Sequence, residues 1–498
     1  MSAIQAFERE SATEIPSAQI AASYPLVLDL DGTLLRTDLL LEAMLQFVRQ
    51  RPLHMLMLLF WACRGIAHLK HQLAVRTDIS IQLLPVNEAL VAYARGAAEA
   101  GRTVVVATAA SGILAQKVCS RFAFIGESLN SCETINLKGE RKAEALNARF
   151  PDGYAYAGDA RADLQVWKDA RFGVFAGSQA DLLRRMQQVT TLEADFSVRA
   201  PTLKTWVRAL RIHQWAKNGL LFLPMLLAGH MMDLASWAVC FAGLVAMGLT
   251  ASATYLINDL FDLEADRQHW SKRSRALASG AIGIKQAIAV SAVLLAGGLT
   301  LGALAGGLPV LGLILIYCAA TLGYSFYLKR VPLLDVTVLA GLFTLRLALG
   351  AALAEVRLSS WLMVFSMFLF LSLALAKRST EIGKKLAAGS AGVAMHGRGY
   401  LSADAPLVAA IGVSSAVAAV VIMVLYLINE AFSDSLYRFP ELLWAAPVLI
   451  GLWLGRIWLL CGRGLLNDDP VAFAVGDRIS ILLGIGVFAG FVGAAILA

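Results

Sequence analysis

The chain has 498 residues, room for two or three domains, and 58% of them are hydrophobic against 16% charged, a balance too apolar for an ordinary soluble protein. Its formal net charge of +7 does not point to nucleic acid, because the lysines and arginines beyond residue 200 gather in short loops between apolar runs instead of along a soluble stripe. The six cysteines (Cys63, Cys119, Cys132, Cys240, Cys318 and Cys461) show no CxxC or metal-type spacing and imply buried free thiols without a disulfide framework.

Residues 1–23 are polar and acidic and lack the apolar centre of a signal peptide, so the region that follows is expected to stay in the cytoplasm. Residues 24–180 mix charged and apolar residues as a globular domain does. Leu26-Val27-Leu28-Asp29-Leu30-Asp31-Gly32-Thr33 reads as a strand that ends in two carboxylates and a tight turn. Thr108 closes the strand Val104–Ala107, Lys142 follows Lys138-Gly139, and Gly158-Asp159 with Asp163 follows Tyr154–Ala157. Four such elements in this order resemble the haloacid dehalogenase-like phosphatases. The resemblance implies Asp29 as nucleophile and Asp31 as the acid and base. It further implies Thr108 and Lys142 (with Lys138 a competitor) on the phosphoryl oxygens, and Asp29, Asp31, Asp159 and Asp163 as carboxylates for Mg²⁺.

Strands alternating with helices predict a soluble α/β domain, doubly wound, with a helical cap at about residues 38–90. Within the cap, His54–Ala62 is very apolar yet too short to span a bilayer. It reads either as a buried cap helix or as a surface that docks on the membrane. Residues 181–204 read as a linker to a membrane domain over 205–498.

Just before the first apolar run, Trp206, Val207, Leu210, Ile212 and Trp215 interleave with Lys204, Arg208, Arg211 and Lys217, as in an interfacial helix. Nine apolar runs follow, at about 218–232, 236–257, 284–306, 308–327, 333–353, 359–376, 405–429, 440–461 and 476–498, and predict an all-α polytopic membrane domain of about nine transmembrane helices. Arg267, Lys272, Arg273, Arg275 and Lys285 after the second run, and Lys377, Arg378, Lys384, Lys385 and Arg398 after the sixth, place those loops in the cytoplasm of a multi-pass inner-membrane protein.

The second run continues without a helix breaker into Asn258-Asp259-Leu260-Phe261-Asp262-Leu263-Glu264-Ala265-Asp266-Arg267. A helix turning about 100° per residue puts Asn258, Asp259, Asp262 and Asp266 on one face. Carboxylates so placed repel one another unless a cation lies between them, and Mg²⁺ bridging to a diphosphate suits hard oxygen donors at a membrane edge. Asp335 and Arg346 lie eleven residues apart on one face of the fifth run. Lys377-Arg378 with Glu381 ends the sixth. These charges read as an interhelical pair and a cytoplasmic anchor, or as ligands for phosphate.

The NDxxDxxxDR pattern at the end of a second span resembles the first aspartate-rich motif of the UbiA superfamily of intramembrane prenyltransferases. Gln214-Trp215-Ala216-Lys217-Asn218, Tyr324-Ser325 with Leu328-Lys329, Asp335, Arg346, Lys377-Arg378 and Asp477-Arg478 look like its decaprenyl-phosphate phosphoribosyltransferase branch. No second DxxxD motif lies in residues 320–400, unlike the members that prenylate aromatic rings. The branch implies phosphoribosyl diphosphate held through Mg²⁺ by Asn258, Asp259, Asp262 and Asp266. Lys217, Arg267, Lys272, Arg275, Tyr324, Lys329, Asp335, Arg346, Lys377 and Arg378 are the further substrate-binding candidates. A polyprenyl phosphate would attack ribose C1, and the fused phosphatase would then remove the 5-phosphate. The alternative is transfer of a prenyl group to a small acceptor, with an independent or regulatory N-terminal domain.

Overall fold

A computed structural model describes residues 23–387, 399–433, 437–466 and 470–496. The N-terminal tail and Arg398 lie outside the described residues. The chain forms two compact units, Met1–Leu210 with Leu256–Val290, and Arg211–Tyr255 with Ser291–Ala498.

In chain order the first unit begins with β1 (Leu26–Leu28), α1 (Leu39–Gln50), α2 (Leu56–Cys63), α3 (Ile66–Arg76), α4 (Glu88–Glu99) and β2 (Val104–Ser111). There follow α5 (Gly112–Cys119), β3 (Glu127–Ser131), α6 (Glu140–Arg149), β4 (Ala155–Gly158), α7 (Leu164–Asp169), β5 (Phe172–Phe175), α8 (Ala180–Gln187), β6 (Thr191–Asp195) and α9 (Leu203–Ala209). The six strands form one parallel sheet in the order β3-β2-β1-β4-β5-β6. Because strand residues alternate faces, Leu26 and Leu28 enter one core with Leu39, Phe47 and Leu90, while Val27 enters the other with Tyr156 and Trp167. The order reverses beside β1, so the carboxyl ends of β1, β2 and β4 surround one crevice. Residues 181–204, expected as a linker, instead hold most of α8 and the edge strand β6, which pairs with β5. The charged residues of that stretch hid a strand because it lies at the sheet's edge and is half-exposed.

The second unit is helical, and two of its helices run on into the first. A 3₁₀ segment (Ile212–Phe222) leads to α10 (Leu223–Leu227), then α11 (Leu234–Phe261), α12 (Leu263–Gln268) and α13 (Ile284–Phe326). The remainder is α14 (Leu334–Leu353), α15 (Ser360–Ala387), α16 (Ala405–Asn429), α17 (Ala445–Gly462), α18 (Pro470–Gly476) and α19 (Arg478–Ile496). Seven helices among the described residues are long and apolar enough to cross a membrane. The 43-residue α13 covers two of the predicted runs and leaves helical geometry at Gly306 and Gly307, the latter at φ 65°, a backbone state open to glycine. Residues 218–232, expected as the first span, lie in a broken sequence of 3₁₀ and short α turns over 212–232. Leu304, Val293 and Phe241 are exposed, as suits surfaces facing lipid.

Candidate functional site

The crevice at the carboxyl edge of the sheet gathers most of the predicted phosphatase residues. Asp29 follows β1, and its carboxylate accepts from Lys142 Nζ at 2.8 Å. Lys142, on α6, also donates to the Tyr156 hydroxyl (2.9 Å), which in turn donates to Asp163 (2.8 Å). The other Asp163 oxygen accepts from the backbone N–H groups of Asp159 (3.2 Å) and Ala160 (2.9 Å). Thr33 donates to Asp159 at 3.0 Å. Gly32 is at φ 83°, and a Cβ there would run into the Asp159 carboxylate, so the turn after β1 admits only glycine. Between Lys142 and Lys138, the structure places Lys142 on Asp29, while Lys138 is exposed. Thr108 is fully buried within β2, its hydroxyl accepting from Ala110 N–H (3.0 Å).

Among the described residues, Asp29, Asp159 and Asp163 bring carboxylate oxygens within 4.8 Å of one another. Burial, with the charges of Asp29 and Asp163, pushes the Asp159 carboxyl up to about 8. Burial raises Asp29 as well, against the pull of Lys142. Burial pulls the Lys142 ammonium down, but Asp29 and Asp163 outweigh it and leave it raised. Hard oxygens that resist ionising together are a donor set for a divalent cation such as Mg²⁺. Asp31, predicted as a further ligand, stands outside this group. Its carboxylate accepts from Leu39 N–H at the start of α1 (2.8 Å), and burial with the Asp38 charge pushes it up to about 7. A carboxyl that keeps its proton near neutrality is suited to general acid and base work.

Lys70, on α3, was not anticipated. Its ammonium donates to Ala109 O (2.6 Å) and Asn136 Oδ1 (2.9 Å), and burial lowers its pKa even with Asp31 and Asp38 nearby. No local signal marks it, since it reaches the crevice from a helix whose pattern is that of an apolar insertion. Tyr156 was not anticipated either, and its one signal is a hydroxyl inside an otherwise apolar central strand.

The aspartate stripe departs from a single continuous helix. α11 ends at Phe261, Asp262 leaves helical geometry (φ −96°, ψ 8°), and α12 resumes at Leu263. The i to i−4 bonds from Asp262 N to Asn258 O (2.9 Å) and from Asp266 N to Asp262 O (2.8 Å) nonetheless persist and preserve the shared face. The buried Asp259 and Asp266 carboxylates both accept from Arg275 Nη1, at 3.2 and 2.7 Å. A guanidinium thus stands in the place the sequence reserves for a cation. Lys272 is exposed in the following turn. Arg267, predicted to face phosphate, instead donates to both oxygens of Glu42 on α1 (2.6 and 3.2 Å) and to Ala278 O.

The second unit has its own buried polar groups. Trp215 and Gln214, at the end of the stretch expected as an interfacial helix, bond to Ser252 and Tyr255 of α11. Asn218 Oδ1 accepts from Arg346 Nε (2.9 Å), whereas its buried Nδ2 has no partner, which leaves a donor facing the interior for a ligand. The Arg346 guanidinium lies near the Tyr317 and Phe343 rings, and Lys217 near Phe343. Asp335 does not pair with Arg346. It accepts from Arg378 Nε (2.7 Å) and from the Tyr400 hydroxyl (2.6 Å), and Arg378 also donates to Glu381 and Tyr324. Lys377 on α15 and Lys329 before α14 are half-buried. Asp477 accepts a two-bond fork from Arg456, and Arg478 is exposed.

With both partners about 1% exposed or less, Asp335 and Arg378 form a buried ion pair. Replacing Arg378 with Met removes the counter-charge of a buried carboxylate that keeps the Tyr400 hydroxyl, and is expected to cost about 3–5 kcal/mol. The thermal unfolding midpoint in detergent should fall accordingly, and an unchanged midpoint would show that water reaches Asp335.

The UbiA prenyltransferase family matches residues 220–492, more than half of the chain. The uncharacterized protein y4nM of Sinorhizobium fredii is 39% identical over 472 residues, 94% of this chain and 90% of that one. The nodulation protein NoeC of Azorhizobium caulinodans is 32% identical over 292 residues, 58% of this chain and 92% of its own length. The decaprenyl-phosphate phosphoribosyltransferase of Corynebacterium glutamicum is 35% identical over 182 residues, which cover 35% of this chain and 54% of that protein. Spanning helices, the Asn258–Arg267 stripe and the family match converge, and the chain belongs to the UbiA prenyltransferase family as a multi-pass membrane transferase.

Proposed function

We propose that the membrane half transfers 5-phosphoribosyl from phosphoribosyl diphosphate to a polyprenyl phosphate, and that the N-terminal domain then hydrolyses the 5-phosphate of the lipid product. The observation that carries this reading is the pairing on one chain of two kinds of site. One is a transferase half that shares 35% identity with a decaprenyl-phosphate phosphoribosyltransferase; the other is a phosphomonoesterase-type cluster of Asp29, Asp31, Lys142, Asp159 and Asp163. A transferase whose product bears a phosphomonoester gains from a tethered hydrolase, because a short tether sets a local concentration on the order of millimolar.

In the first reaction a lipid phosphate oxygen attacks ribose C1, the bond from C1 to the diphosphate oxygen breaks, and diphosphate departs. No protein nucleophile is needed. Asn258, Asp259, Asp262 and Asp266 would hold Mg²⁺, whose charge would stabilise the departing diphosphate, while Arg275 and Lys272 lie close by with further positive charge. In the second reaction an Asp29 oxygen attacks phosphorus and Asp31 gives its proton to the departing 5-oxygen. Asp31 then takes a proton from the water that opens the aspartyl phosphate, and orthophosphate leaves. Lys142 holds Asp29 and faces the phosphoryl charge, and Asp29, Asp159 and Asp163 would hold the ion of this second site.

Purified protein supplied with phosphoribosyl diphosphate and polyprenyl phosphate should release diphosphate and orthophosphate, and mass spectrometry should find polyprenyl-phosphoryl ribose. Label passing from a prenyl diphosphate to a small acceptor, with no ribosylated lipid formed, would replace this reading with the prenyl-transfer alternative.

A further inference from the structure

The apolar helix α2 is not the buried cap helix that its composition allows. Only Leu58 and Trp61 of it are buried, against Phe47 and the α3 side chains, while Leu53 (93% exposed), Leu56 (70%), Leu59 (65%) and Phe60 (54%) stand open together with Met55. Residues 56, 59, 60 and 63 follow helical spacing and share one face. An open face of this size on a folded domain marks an interaction surface.

Two observations say what covers it. The first is charge. Between Glu42 and Asp78 the chain contains no acidic residue, but it contains Arg49, Arg51, Arg64, Lys70 and Arg76, and His54, His68 and His71. Arg51 and Arg64 are exposed at the two ends of α2, and the Arg64 guanidinium lies 4.5 Å from the centre of the Phe60 ring. An apolar face rimmed by cations fits the boundary between acyl chains and anionic headgroups. The second is attachment. Glu42 on α1 binds Arg267, the Ser80 hydroxyl binds Glu264, and Asp38 pairs with Lys285 at 2.8 Å. Leu45, Ile79 and Leu83 line a shared cleft with Leu260, Phe261 and Leu263. The insertion that carries α2 is therefore fastened to the segment joining α11 and α13, two helices long and apolar enough to cross a membrane.

We infer that α2 is a monotopic membrane-docking element, with Leu53, Leu56, Leu59 and Phe60 seated in the anionic leaflet, and that it holds the crevice of Asp29 at the lipid surface to receive a lipid-linked phosphomonoester. The docking stands on exposure, charge and attachment alone, whereas its use in catalysis rests on the phosphatase reading above.

The test uses the full chain in nanodiscs containing phosphatidylglycerol, with Cys132→Ser and a bimane label on the exposed thiol of Cys63. A label at Asp152→Cys, in a Cys63→Ser and Cys132→Ser background, serves as control at the opposite edge of the sheet. Nitroxide-bearing lipid should quench the Cys63 label severalfold more than the control. Equal quenching overturns the inference. A Cys63 label shielded from aqueous iodide yet untouched by nitroxide lipid would put a protein surface there, such as a second copy of the chain, and also overturns it. Paired Leu56→Asp and Leu59→Asp should slow orthophosphate release from the ribosylated lipid by about tenfold, with hydrolysis of soluble ribose 5-phosphate unchanged. Equal loss on both substrates would assign the two leucines to the fold instead of to docking. Failure of wild-type protein to hydrolyse either substrate counts against the phosphatase reading, and lipid quenching then still decides the docking.

Discussion

Asp29→Asn is expected to stop orthophosphate release while leaving diphosphate release intact, so that the lipid product accumulates with its 5-phosphate in place. Asparagine has nearly the shape of aspartate and keeps an oxygen to accept from Lys142, now 2.8 Å from Asp29, so the packing of the crevice is preserved. What it removes is the anionic oxygen that attacks phosphorus and one of three gathered carboxylates. Loss of a nucleophile with its surroundings intact lowers turnover by on the order of 10⁴-fold or more. The readout is a pair of coupled assays on one sample, for orthophosphate and for diphosphate, with mass spectrometry of the lipid. Continued orthophosphate release would place the hydrolysis at another site. Parallel loss of diphosphate release would mean that the two reactions are coupled through the fold and not through diffusion of a tethered product.

The crevice was legible because its chemistry is carried by residues at the ends of strands, where an apolar run followed by Asp or Gly-Asp fixes both the strand and the position of the carboxylate. Asp29 and Asp159 follow adjacent parallel strands, and adjacency in such a sheet brings them together. Lys70 and Arg267 were opaque for the converse reason. Each acts on a partner far away in sequence, Lys70 beside Asn136 and Arg267 on Glu42, and side-chain pairs between distant segments leave no periodic trace. Apolarity counted the membrane segments well where helices are straight, but it cannot register backbone breaks. The run at 218–232 is as hydrophobic as a span and yet turns repeatedly, and the stripe from Asn258 to Asp266 has no proline or glycine to announce the break at Asp262. That break lies where buried acids approach each other and an arginine enters, an arrangement set by tertiary charge and not by local propensity.

Asp259→Asn is expected to reduce phosphoribosyl transfer by about 10²–10³-fold, with hydrolysis of soluble ribose 5-phosphate unaffected. Asp259 is 6% exposed and Asp266 3%, and two carboxylates so close and so poorly hydrated repel each other unless a cation lies between them. Arg275 fills that need, at 3.2 and 2.7 Å from the two. Under the proposed transfer, carboxylates engaged with Mg²⁺ would leave this guanidinium free to face the diphosphate of the donor. Asparagine at 259 keeps an oxygen but loses its negative charge, which leaves Asp266 as the charged partner of Arg275 and weakens the hold on the ion. The dependence on Mg²⁺ should separate these effects: diphosphate release by the variant, followed against rising Mg²⁺, should recover only in part and at higher concentration than wild type. Full wild-type turnover in Asp259→Asn at ordinary Mg²⁺, or wild-type transfer that survives exhaustive chelation, would remove the stripe from the reaction and leave Arg275 and its two carboxylates as a bond within the fold.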